Sequence, residues 1–127
     1  AEGYRNVEEI VAVEGIDGVY IGPIDLTLAL YGNDLPLGLD RQEPEMLEAI
    51  ENILRAAHAA GKKAGIHCGT PEYAGRMVEM GFDLVSLSSD LGLFSSASKS
   101  ILEAARRLTG GVAGDESQAA QSGSTPY

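Results

Sequence analysis

Basic residues are scarce in this 127-residue chain: 9 Lys and Arg stand against 19 Asp and Glu, a formal net charge of −10. With no cluster of cations to neutralise phosphates, the chain is not expected to bind nucleic acid. Long apolar runs are missing as well. The longest are strand-sized, well short of the roughly 20 residues that a membrane span needs, so no membrane association is expected. Ala1-Glu2-Gly3-Tyr4 has neither the basic nor the apolar region of a secretory leader. Cysteine occurs once, at Cys68, which excludes an intrachain disulfide and fits a reducing, cytoplasmic setting. No lysine stands where a strand would end. Lys62 and Lys63 precede their strand, which argues against a Schiff-base nucleophile at the opposite mouth. An initiator Met is absent and the chain opens on the approach to a helix, so a fragment of one domain is expected.

What is present alternates. Asn6 with Glu9 reads as a capping box for a short helix ending near Gly15. A strand is expected over 16–22, then one or two helical turns over 26–31. Gly32, Asn33, Asp34, Pro36 and Gly38 mark 32–43 as loop. Pro44 suits the first turn of a helix running to about Ala60, with Leu47, Ile50, Leu54 and Ala57 on one apolar face. Gly61 ends it, and 63–68 is a second strand. Thr70 caps the next helix, Pro71 is its first residue and Gly81 stops it. A third strand covers 83–89. The last helix starts at Asp90 or a neighbouring Ser, carries Phe94, Ile101, Leu102, Ala105 and Leu108, and ends at Gly110-Gly111. Residues 111–127 hold almost nothing to bury and read as a disordered tail, leaving 1–110 as the domain. Strand–helix–strand repeats of this spacing predict an α/β fold with a parallel sheet and right-handed crossovers. Three strands leave two open edges and little core, so further strands are expected from elsewhere in a longer protein or from another chain.

Three strand ends carry chemistry. In Gly18-Val19-Tyr20-Ile21-Gly22-Pro23-Ile24-Asp25-Leu26, a strand runs into Gly-Pro and a carboxylate follows at once. The C-terminal mouth of a parallel sheet is where ligands bind, and a carboxylate there suits a hard divalent cation. The alternative is that Asp25 caps the helical turn beginning at Leu26. One Asp is not a metal site; Glu2, Glu8 and Glu9 fall on solvated faces. At His67-Cys68-Gly69-Thr70, alternation lets only one of His67 and Cys68 face the mouth, so the pair is not a zinc site. His67 is either a pocket wall or a buried, hydrogen-bonded histidine, and Cys68 a small apolar filler. Ser88-Ser89-Asp90 either caps the last helix or offers hydroxyls and N–H groups to an anion. His58 reads as a surface residue and the acidic run from Asp40 to Glu51 as a solvated face.

These residues also carry a resemblance. Asn6-Val7-Glu8-Glu9-Ile10, the run Val13 to Thr27 around Gly22-Pro23-Ile24-Asp25-Leu26, Gly61-Lys62-Lys63-Ala64-Gly65-Ile66 and Met80-Gly81-Phe82 together resemble the C-terminal part of the HpcH/HpaI aldolase family, the metal-dependent class II pyruvate aldolases. The resemblance spans residues 1 to about 109. It implies a (β/α)8 TIM barrel whose last three strands, six to eight, are the ones seen here. It implies a carbon–carbon lyase that reversibly cleaves a 4-hydroxy-2-oxo acid to pyruvate and a small aldehyde through a metal-stabilised enolate, with Mg, Mn or Co as the ion. Asp25 then matches the family's second metal carboxylate. The Glu that is the first, the substrate-holding Arg and the proton-transfer His fall before Ala1, so this chain alone is expected to be inactive. The N–H groups of Ile24 and Asp25 match those that take the pyruvate carboxylate. His67 and Ser89 match positions that wall the acceptor pocket, where several members are apolar. The resemblance implies a homo-oligomer, a hexamer built from dimers that exchange their last helix, here residues 91–109. Two alternatives stand beside this: a CoA-ester lyase of the related phosphoenolpyruvate/pyruvate barrel superfamily, for which no basic surface is seen, and a non-catalytic truncated barrel fragment.

Overall fold

The structure is a computed structural model that describes residues 1–109. Two helical turns, α1 (Glu2–Arg5) and α2 (Val7–Val11), precede the strand β1 (Gly18–Ile21). Then follow α3 (Pro23–Tyr31), α4 (Pro44–Ala59), β2 (Lys63–Cys68), α5 (Pro71–Met80), β3 (Leu84–Leu87) and α6 (Asp90–Leu108). The expected tail and the stop at Gly110-Gly111 lie outside the described residues. The chain divides into two units, Ala1–Ser89 and the segment from Asp90 onward. No helix among the described residues is long and apolar enough to cross a membrane.

In the first unit the three strands form one parallel sheet in the order β1-β2-β3. Gly18 to Ile21 pair with Lys63 to Ile66, and Gly65 to Cys68 pair with Leu84 to Leu87. Alternation splits the sheet into two faces. Ile21, Ala64, Ile66 and Cys68 are buried in a core with Val11 of α2, Ile50, Ile53, Leu54 and Ala57 of α4, and Tyr73 and Met77 of α5. Tyr20, Gly65, His67, Leu84 and Ser86 stand on the other face, where Tyr20 and Leu84 are exposed. An α/β layer with one apolar sheet face covered by helices and the other uncovered is part of a barrel wall rather than a closed fold.

Local chemistry explains most boundaries. Thr70 Oγ1 accepts a hydrogen bond from the Tyr73 N–H at 3.3 Å, Pro71 opens α5, and Gly81 closes it at φ 107°, a left-handed cap that glycine adopts without strain. Pro44 is the first residue of α4. Its stripe differs from the expected one: Met46, Ala49 and Ile53 are buried along with Ile50, Leu54 and Ala57, while Leu47 is half-buried. The buried stripe is wider than expected because the helix meets α2 as well as the sheet.

Several boundaries correct the sequence reading. Asn6 makes no side-chain cap hydrogen bond; it joins α1 to α2 with φ −103°, ψ 17°, and α2 ends at Val11. β1 and β3 have four residues each, shorter than expected. β3 stops because Ser88 takes φ 57°, which ends the extended alternation. The helix after Gly22 begins at Pro23 rather than Leu26.

The 32–43 loop is braced rather than loose. Asp40 accepts hydrogen bonds from Gly69 N (2.6 Å) and Thr70 Oγ1 (2.5 Å). Arg41 is 3 % exposed and donates to the Pro36 carbonyl (2.6 Å) and Glu43 Oε1 (2.7 Å). The start of the acidic run is therefore not a solvated face. In the second unit, α6 has no buried residue, and Leu91, Phe94, Ile101, Leu102 and Leu108 are exposed.

Candidate active site at the strand ends

Because the strands are parallel, Gly22-Asp25, Cys68-Gly69 and Ser88-Ser89 all leave the sheet at one edge. Asp25 is the third residue of α3, and Gly22 is its N-cap. Asp25 is therefore not the cap. Its Oδ2 folds back toward the strand: a Cβ on Gly22 would lie 2.9 Å from it. A residue with a side chain at 22 would push the carboxylate away. Asp25 is exposed, and no described residue makes a hydrogen bond to its carboxylate. Since glycine has no side chain to cap with, the first-turn N–H groups at Ile24 and Asp25 are left for an outside acceptor. An uncapped helix start with an unengaged carboxylate beside it is suited to an anion and a cation held together.

Asp25 has no second carboxylate beside it among the described residues. Among the described residues no group of three or more His, Cys, Asp and Glu side chains could hold a metal. The residues present fit a divalent ion as the donor of one carboxylate oxygen, and the other ligands would have to come from outside these residues, from water and from substrate.

His67 and Cys68 separate as alternation requires. Cys68 is buried against α4 and α5, and burial, then the Asp40 carboxylate, pushes its thiol up to about 11. It is a filler with no thiolate character at neutral pH. His67 is half-buried on the uncovered face, with Nδ1 2.6 Å from Ser86 Oγ. Ser86 Oγ also hydrogen-bonds Tyr20 Oη. Ser89 is exposed and follows β3; the left-handed Ser88 precedes it, so strand parity does not carry over to its side chain. Sequence reasoning missed Tyr20, Ser86 and Asp40. Spacing within a strand carried no signal for Tyr20 and Ser86, because their meeting with His67 depends on the register of three strands.

A parallel β/α repeat with its polar groups gathered at the C-terminal strand ends is the arrangement of barrel enzymes. The HpcH/HpaI aldolase/citrate lyase family model matches residues 1–97, and the chain belongs to that family. It is similar to a hydroxypyruvate/pyruvate aldolase of Rhizorhabdus wittichii, with 43 % identity over 107 residues, covering 84 % of this chain and 41 % of that protein. A 5-keto-4-deoxy-D-glucarate aldolase of Klebsiella pneumoniae is 39 % identical over 107 residues, covering 83 % and 39 %. Among solved structures, an HpcH/HpaI aldolase/citrate lyase family protein of Burkholderia cenocepacia superposes with a TM-score of 0.74 at 32 % identity, covering 84 % of this chain and 39 % of that one. The chain thus spans about two fifths of the length of these relatives, and its three-stranded sheet is a partial barrel.

Proposed function

We propose that this chain supplies the later strand ends of a 2-oxo acid aldolase, which reversibly cleaves a 4-hydroxy-2-oxo acid to pyruvate and an aldehyde. The observation that carries the reading is the Asp25 carboxylate, unengaged by any of the described residues and lying over Gly22 at the uncapped start of α3. In this reading Asp25 gives one ligand to a divalent ion, Mg, Mn or Co, and the Ile24 and Asp25 N–H groups orient the substrate carboxylate. The chemistry such an ion supplies when bound is stabilisation of the enolate charge that appears as the carbon–carbon bond breaks. His67 and Ser89 wall the side of the pocket that takes the aldehyde. The residues that move protons lie outside this chain, so activity belongs to a protein in which the sheet is completed. A cytoplasmic location fits the lone cysteine, and a homo-oligomer fits the exposed apolar stripe of α6. A CoA-ester lyase is disfavoured by the scarcity of Lys and Arg to meet CoA phosphates.

Asp25→Asn tests the reading, because it keeps the side-chain shape and removes the charge. In the intact protein, turnover with pyruvate as product should fall by about two orders of magnitude or more, a few kcal/mol of transition-state stabilisation, with weaker Mn²⁺ binding and unchanged thermal unfolding. Near-normal turnover at saturating metal would leave Asp25 as a first-turn acid that only favours the α3 dipole.

A further inference from the structure

Tyr20, His67 and Ser86 come from three adjacent strands and meet on the uncovered face of the sheet. The register sets His67 beside Ser86, and Tyr20 beside Gly65, two residues before His67. Gly65 permits the meeting. A Cβ there would lie 2.8 Å from Tyr20 Cδ2 and 3.3 Å from Leu84 Cβ, so the Tyr20 ring lies across β2 in space that any other residue would occupy. Its hydroxyl thereby reaches Ser86 Oγ on the far strand, and Ser86 Oγ meets His67 Nδ1 at 2.6 Å. His67 Nε2 has no hydrogen-bond partner among the described residues.

We propose that Tyr20 and Ser86 are positioning residues that hold His67 through Nδ1, so that Nε2 is presented as the specificity-determining contact for an oxygen substituent on the aldehyde. The proposal rests on the aldolase reading of the site. An imidazole held at one nitrogen has its ring plane and tautomer set by that bond. The phenol is the most acidic O–H of the three-residue chain, so it donates to Ser86. The single Ser86 proton then goes to Nδ1, and the ring proton is on Nε2. An Nε2–H so placed donates to a hydroxyl or carboxylate oxygen and is left without an acceptor beside an alkyl group. Selection therefore falls on hydroxylated or carboxylated aldehydes, and it depends on two residues that need not touch them.

The test uses the intact protein, with glycolaldehyde and propionaldehyde as a matched pair differing in a hydroxyl against a methyl. The readouts are the ratio of kcat/KM for addition of pyruvate and the ¹⁵N signals of the His67 ring. Wild type should show the Nε2–H tautomer and favour glycolaldehyde. Ser86→Ala should lower the ratio by about tenfold and mix the tautomers, with kcat/KM for propionaldehyde held within about twofold. Tyr20→Phe should give a smaller shift in the same direction, and Ser86→Thr, which keeps the hydroxyl, should restore both readouts. An unchanged ratio or an unchanged tautomer in an active Ser86→Ala enzyme overturns the proposal while leaving the aldolase reading intact. Absence of pyruvate addition to either aldehyde in the wild type overturns the aldolase reading and the specificity role with it, and the ring signals then report the relay alone.

Discussion

Asp83 works at the edge of the sheet remote from the candidate site. Its carboxylate takes hydrogen bonds from Lys63 Nζ (2.7 Å), the Ala64 N–H (3.0 Å) and His58 Nε2 (2.9 Å), and its own N–H donates to the Ala64 carbonyl (2.9 Å). It pins the start of β3 to the start of β2 and reaches α4 through His58, which is exposed, as its sequence context implied, and also bonds this carboxylate. The Lys63 hydrogen bond first, then the Ala64 N–H and His58, hold its carboxyl well below the usual carboxylate range. The sign follows from linkage. A carboxyl more acidic when folded adds stability that is full above its unfolded value, about 3.9, and is lost as pH falls through the folded value. Chemical denaturation of wild type and Asp83→Asn should therefore show a stability gap that is open above the unfolded carboxyl value and closes on further acidification. A gap that persists unchanged at the acid end would assign the effect to lost packing instead of charge.

Elements were legible where a local rule acts alone. The 63–68 strand and the Thr70-Pro71…Gly81 helix follow the sequence reading to the residue, because cap, first-turn proline and left-handed glycine each act within a few positions. The expected capping box at Asn6 failed because helical turns lie on both sides of it, so its backbone serves both. Asp25 could be placed at the strand mouth from sequence, but not freed from a capping role. That required Gly22 as the actual N-cap. The Tyr20–Ser86–His67 chain could not be read from spacing, since three strands far apart in sequence must first adopt their register. Gly18 makes the register visible in one atom: a Cβ there would lie 2.4 Å from the Lys63 carbonyl oxygen, a backbone atom that cannot step aside. Gly18→Ala should force β1 away from β2 and cost about 1–3 kcal/mol of stability in urea unfolding, as overpacking does. Gly75→Ala on α5, where a Cβ meets nothing within 4 Å, should by contrast stabilise by up to about 1 kcal/mol. Equal responses of the two variants would mean that the β1–β2 approach is looser than the register implies.

At the scale of the whole molecule, the described residues leave apolar surface uncovered. Among the described residues β1 and β3 each pair only with β2, so each leaves one edge of N–H and C=O groups unpaired. The sheet face carrying Tyr20 and Leu84 is exposed. On α6, Leu91, Phe94, Ile101, Ala105 and Leu108 recur at intervals of three, four and seven, the spacing of a stripe that packs on another helix. Open edges and uncovered apolar faces drive association. This chain by itself is therefore expected not to be a monodisperse monomer, and its edge-strand amides should exchange fast unless a partner covers them. Light scattering coupled to size-exclusion chromatography, with hydrogen exchange, reads both. Phe94→Ser with Ile101→Ser separates the two sources: loss of the stripe should shift the population to smaller species if α6 is the contact, and leave it unchanged if the strand edges are. A compact monomer with strongly protected amides on β1 and β3 would show that the 127 residues close on themselves, and that the partial barrel is an independent fold.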